Sequence, residues 1–359
     1  MKPSRIAIIL ALAAAAAWCG DWNPRLAAQY LDARQKAWFA WPNASRSGVV
    51  CVSCHTGMPY LLARPVLRTA LGESEPTLYE SVLVDGLRAT VVKTDADNLF
   101  GSKSGTLLAQ QVFGAQSVMA ALFLAMDDAR RGHGMSPEAE KAFERMWSLQ
   151  IRTGKNQGGW LWSDFDLDPW ETADAAYYGS ALGALATGVA PAGYQSRPEI
   201  RENVAALRTY LREAAKTTPL HNRLILLWAS AKLRGLLPET ERQAIIDEVL
   251  HKQQDDGGWT IQALGEWKKR EQAPPSVGSN SYATGLVAFT LEQAGEHGTG
   301  LHRALDWLRA HQDRETGSWA VESMNHPHDR GSIPEFFMRD AATGFATLAL
   351  LAPEMSARR

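Results

Sequence analysis

Cys51-Val52-Ser53-Cys54-His55 sets two thiols and an imidazole in the order C-x-x-C-H. That order is the attachment sequence of c-type haem. The sulfurs form thioethers to the vinyl groups, and the adjacent imidazole binds the iron from one face. A thioredoxin-like redox pair would need a βαβ context, which the pattern around the motif lacks. A zinc site would need two more ligands nearby, and of the three cysteines only Cys19 is left. A disulfide across two residues would be strained. The sequence therefore predicts covalent haem c, with Cys51 and Cys54 as attachment points and His55 as an iron ligand. Met338, just ahead of Asp340 at the start of an apolar run, is the candidate second axial ligand, core filler being its other reading. His133, His221, Met324, His326 and His328 are the alternatives, and an open sixth position would favour catalysis over electron transfer.

Carboxylates are the second group with chemical potential. Asp174 and Asp340 each open an apolar helix, so both are expected at one rim of a central cavity. There a buried carboxyl could act as a general acid, the plain alternative being a helix N-cap. Asp164, Asp166, Asp168 and Glu171 read as a solvated acidic loop, with calcium binding as a minor option. His326, His328 and Asp329 read as a polar loop or a small ligand cluster.

The elements that must position these groups follow from the rest of the pattern. Lys2 and Arg5 precede an apolar run from Ile6 to Ala17, too short to span a bilayer but fitting for a signal peptide. Residues 1–19 are read as that leader, and the protein as exported and periplasmic; acylation at Cys19 would instead make it a lipoprotein. No later stretch reads as a membrane anchor. Asn23 and Pro24 look like the N-cap and first residue of a helix with Leu26, Tyr30, Ala37 and Trp41 on one face. Pro59 and Pro65 argue against a long helix after the motif. Residues 20–100 are therefore taken as a haem-attachment segment docked on the remainder, residues 101–359, with Pro76–Val92 as a further outer helix.

That remainder is repetitive. Trp307, Gln312 and Gly317-Ser318-Trp319 are echoed by Gln253 with Gly257-Gly258-Trp259, and by Trp147, Gln150 and Gly158-Gly159-Trp160. Trp259 and Trp319 lie 60 residues apart, and Thr284 and Thr343, in two near-identical apolar stretches, lie 59 apart. Apolar helices are expected near Gln116–Met126, Asp174–Thr187, His221–Leu233, Ser281–Gln293 and Asp340–Leu351. Polar helices between them begin at Ser136-Pro137, Arg197-Pro198 and Leu237-Pro238. Buried helices alternating with half-exposed ones imply an all-α fold: an α/α toroid of five to six hairpins.

The R-A-x-x-W-L-x-x-x-Q-x-x-x-x-G-x-W string ending at Trp319 resembles the QW motif of squalene-hopene cyclases and related prenyltransferase-like toroids. The resemblance covers roughly residues 100–355. It implies that Gln312 with Trp319, and Gln253 with Trp259, brace an outer helix to the next loop. The chain departs from that family in having no D-x-D-D acid and about half the length of a two-domain cyclase. Net charge is −2, which supplies no basic surface for nucleic acid. Together these features predict an exported haem protein on a cyclase-like toroid. It would transfer electrons to a redox partner protein, or act on an apolar, isoprenoid-like small molecule, with peripheral membrane association as a further option. An isoprenoid cyclase with non-standard acids, and a non-catalytic binding toroid with a redox centre, are the alternatives.

Overall fold

A computed structural model of the chain describes residues 22–46, 49–92, 105–132, 134–191 and 193–357. Residues 1–19, read above as a leader, and His133 lie outside these. Among the described residues twelve α-helices alternate between an outer and an inner layer, which makes six hairpins, the upper of the two numbers expected. The outer helices are α1 (Pro24–Ala40), α3 (Leu78–Val91), α5 (Pro137–Ser148), α7 (Arg201–Ala214), α9 (Glu239–His251) and α11 (Thr299–Ala310). The inner helices are α2 (Gly57–Leu71), α4 (Leu107–Arg131), α6 (Ala175–Val189), α8 (Leu220–Ser230), α10 (Ser281–Gln293) and α12 (Phe337–Ala357). Inner helices pack side by side in the order α2, α12, α10, α8, α6, α4, and α3 packs on both α2 and α4. Among the described residues the strand content is one two-residue ladder, Ser45–Arg46 with Val49–Val50. The fold is an all-α toroid.

Composition explains the two layers. The inner helices α6 and α10 are buried almost all round, with Ala, Gly, Ser and Thr letting backbones approach closely. Gly285 shows why: a Cβ there would stand 2.8 Å from the Ala346 nitrogen of α12. Outer helices bury one stripe, as in α5, where Ala139, Ala142, Phe143, Met146 and Trp147 face inward. By length and apolarity α4 could cross a membrane, contrary to the sequence expectation, but most of it is buried in the ring wall.

The segment around Cys51 is built into the ring as its first hairpin. Asn23 caps α1 by accepting from the Arg25 and Leu26 amides at 3.0 and 3.2 Å. The expectation of no long helix after the motif does not hold, since α2 runs for 15 residues. Pro59 sits in its first turn, where an amide has no partner inside the helix. Pro65 removes one internal hydrogen bond, and burial between neighbours offsets that loss. This is the sixth inner helix.

The repeats act as braces. Gln312 donates to the carbonyls of Gly317 (2.9 Å) and Asn23 (3.0 Å), tying the end of α11 to the start of α1. Gln253 does the same for Gly257 and Gly300, and Gln150 for Gly158 and Asn203. Each following Trp turns its indole back to the outer helix: Trp160 to Met146, Trp259 to Val249 and Trp319 to Leu308. Their backbone amides donate to Ser180, Thr284 and Thr343 on the inner helices. One short motif thus satisfies helix-end carbonyls and joins both layers to the next hairpin.

The glycine of each brace is needed for its conformation and its closeness. Gly158 has φ 95°, and a Cβ on it would stand 2.3 Å from the Ala206 carbonyl oxygen of α7. Gly158→Ala should therefore cost roughly 2–3 kcal/mol in chemical denaturation. A loss below about 0.5 kcal/mol would show that the loop can rebuild.

Candidate active site

Long segments gather at one end of the ring. Residues 41–56, 149–174, 252–280 and 311–336 each lead from an outer helix into the N-terminus of an inner one. The reverse connections, such as 72–77 and 294–298, are short. Loops carried on one end of a rigid scaffold are where functional side chains collect. A cavity of about 320 Å³ opens there, lined by His55, Asp168, Trp170, Glu171, Asn325, His326, His328, Phe337 and Met338 among others.

Glu171 and Asp168 come from one tight loop. The Glu171 carbonyl accepts from the Phe165 and Leu167 amides at 3.0 and 2.9 Å, and its amide returns a bond to Leu167 at 2.9 Å. Asn325 clamps the Asp168 backbone from the facing segment, at 2.9 Å to its amide and 2.8 Å to its carbonyl. Burial among apolar neighbours raises the Glu171 carboxyl to about 7, so it holds its proton into the neutral range. Burial also raises Asp168, but the Arg270 guanidinium 3.7 Å away acts against that shift. Two carboxyls in unlike surroundings, one of them with a guanidinium beside it, therefore border one cavity.

Trp170, between them, is held from below. Its indole donates to the Tyr282 hydroxyl at 2.9 Å, which leaves that hydroxyl's own proton for His221 Nε2 at 2.7 Å. His221 Nδ1 then donates to Asn222 Oδ1 at 2.7 Å, and burial keeps the imidazole neutral by lowering its pKa to about 4. His221 is thus spent on holding Trp170 and sits behind the cavity.

His55 faces the cavity from the opposite part of the ring. Its ring stacks on Phe337 at 3.5 Å, with Trp38 edge-on at 5.2 Å. Nδ1 lies 3.1 Å from Thr56 Oγ1, which donates to Asp340 Oδ2 at 2.7 Å. Tyr30 and Arg34 donate to Asp340 Oδ1 at 2.8 and 2.9 Å. Burial, reinforced by the Arg34 charge, lowers His55 to about 3.

The two carboxylates favoured by the sequence part company here. Asp340 is fully buried behind His55 and saturated with donors. The expectation that Asp174 faces a central cavity does not hold: it is exposed, in an outer groove with Tyr177 and Tyr210. Nor is the 164–171 loop solvated throughout. Asp166 is exposed and paired with Lys268 and Arg270, while Asp168 and Glu171 turn inward. Trp170, set between Asp168 and Glu171, was the signal for that inward turn.

The haem motif does not converge on one space. His55 and Met338 line the cavity, but neither Cys51 nor Cys54 does. Cys51 Sγ accepts from Gln116 at 3.8 Å, and Cys54 is buried. Burial, and then the nearby Glu171, push the Cys51 thiol up to about 12 and Cys54 upward too.

No family model and no curated protein matches the chain. Among solved structures the ring is similar to glycosidases. One, a glycosidase with a single Glu-to-Ala substitution, gives a TM-score of 0.54 at 12% identity over 93% of this chain and 98% of that one. Another such variant, solved in complex with glucose, gives 0.52 at 12% identity over the same shares. At this identity the likeness is one of fold. It corrects the expected kinship with squalene-hopene cyclases, and with it the reading as a haem redox protein on a cyclase-like toroid. The described residues also hold no group of three or more His, Cys, Asp or Glu placed for a metal, so the haem, cytochrome and electron-transfer readings go with it.

Proposed function

We propose that the chain is a glycosidase-like hydrolase acting on a saccharide in the cavity at the long-loop end. The observation that carries this is Glu171, a half-buried carboxyl that keeps its proton near neutral pH beside a second carboxyl, Asp168, with a guanidinium against it. Glycoside cleavage asks for such a pair: one carboxyl to protonate the leaving oxygen, and negative charge to meet the oxocarbenium-like transition state. Glu171 is the general acid. Asp168, with Arg270 3.7 Å away, is the second carboxyl, which faces the developing positive charge. Trp170 and Phe337 supply flat apolar walls for a sugar ring. The fold matches glycosidases, and one of those structures holds glucose. Export through the 1–19 leader belongs to the same proposal and would place the enzyme with saccharides outside the cytoplasm.

The test is turnover of aryl glycosides and short oligosaccharides. Glu171→Gln should lower kcat by roughly 10³-fold on sugars with poor leaving groups and far less on dinitrophenyl glycosides, which need no protonation. Equal losses on both substrate types would remove Glu171 from the acid role. Absence of any glycoside turnover by the wild type would end the hydrolase reading.

A further inference from the structure

We propose that His55 is the base of this cavity: its Nε2 takes a proton from the water that attacks the sugar, with Thr56 and Asp340 as positioning residues. The inference rests on the hydrolase reading of the cavity and deepens it. Thr56 gives its only proton to Asp340, so its oxygen must accept from His55 Nδ1. That fixes the tautomer. The proton is on Nδ1, and Nε2 is left with a bare lone pair and no hydrogen-bond partner among the described residues, on a ring that borders the cavity. Phe337 stacked against one ring face, and Trp38 at its edge, fix the orientation. The chain behind it is anchored twice more, because Tyr30 and Arg34 hold the other oxygen of Asp340. Six residues from three parts of the chain thus set one imidazole, and no other ring nitrogen at the cavity has such support. His326 Nδ1 bonds a neighbouring backbone carbonyl and is exposed.

The step balances. Water oxygen bonds to the anomeric carbon as His55 Nε2 takes its proton. The bond from that carbon to the leaving oxygen breaks as Glu171 gives its proton to the latter. Imidazolium and carboxylate remain, and solvent returns one proton from His55 to Glu171. The charged or titratable groups facing His55 are Arg34 and Tyr30 from α1, Asp340 from α12, Asp168 and Glu171 from the 149–174 segment, and His326 and His328 from the 311–336 segment. Asp168 is the rival base, but it is ion-paired with Arg270.

His55→Ala should lower kcat about 10²–10⁴-fold on poor and activated leaving groups alike, with KM nearly unchanged, because deprotonation of water is needed for both. Thr56→Val should lose at least tenfold and Thr56→Ser should recover most of it, a rescue that a packing role would not give. Nitrogen-15 spectra of the His55 ring should show the Nδ1–H tautomer in the resting protein. An Nε2–H tautomer overturns the proposal whatever the activity. So does an active enzyme in which His55→Ala keeps more than a third of kcat while Asp168→Asn loses it. A chain that turns over no glycoside sinks the hydrolase reading first, and this assignment with it.

Discussion

Asp340→Ala should destabilise the protein by about 3–5 kcal/mol, the usual cost of removing one partner from a buried ion pair. The carboxylate is 1% exposed and receives three side-chain donors, Tyr30, Arg34 and Thr56. Two of them lie on α1 and the third immediately precedes α2, so this one side chain fastens the last inner helix to the first hairpin. After truncation the Arg34 guanidinium would keep the Ile333 carbonyl at 3.1 Å and the Phe336 ring at 4.4 Å, with no counter-charge. Asp340→Asn retains acceptor capacity for Thr56 or Tyr30 and should cost less, about 1–3 kcal/mol. Arg34→Met combined with Asp340→Leu should lie closer to wild type than Asp340→Ala alone, since it removes the orphaned charge as well. Urea unfolding of the four proteins checks the order. Asp340→Ala within about 1 kcal/mol of wild type would show that the ring is closed by its Gln312 brace and its packing alone.

The layered ring was legible because its signals are local and repeated. Gln253 and Trp259 recur as Gln312 and Trp319 at a fixed offset, and small-residue stretches such as Ala341-Ala342-Thr343-Gly344 cannot be anything but buried. The first hairpin was less legible, because Pro59 and Pro65 are breakers by propensity and only tertiary burial keeps α2 helical. The site was the least legible part. Asp174 and Asp340 look alike in sequence, each opening an apolar helix. Which of them is covered depends on loops more than a hundred residues away in the chain. Glu171 looked solvated for the same reason: the cavity it borders is completed by the 311–336 segment and by His55. The C-x-x-C-H string misled through adjacency. Cys54 and His55 are consecutive, yet one packs into the wall and the other borders the cavity.

Glu171→Gln should make the protein less active and more stable, and the gain should depend on pH in a definite sense. Burial raises the folded-state pKa of Glu171 to about 7 from its ordinary 4.5. Below pH 4.5 the group is protonated in both states and contributes nothing against folding. Between pH 4.5 and 7 the unfolded chain releases the proton first, so the unfolded state is favoured increasingly as pH rises. Above pH 7 the full penalty is present, on the order of 3 kcal/mol for a shift of this size. A glutamine carries no such penalty. The variant should therefore match wild type near pH 4, gain through the window from 4.5 to 7, and stand about 2–3 kcal/mol above it at pH 8. Paired urea titrations at pH 4 and pH 8 read this directly, without any substrate. Activity on poor leaving groups should show the mirror image in wild type, falling as pH rises through about 7, where the acid loses its proton. A pH-independent difference in stability would mean that Glu171 ionises normally in the folded protein. In that case the cavity holds no acid poised for neutral pH, and the assignment of its chemistry has to begin elsewhere.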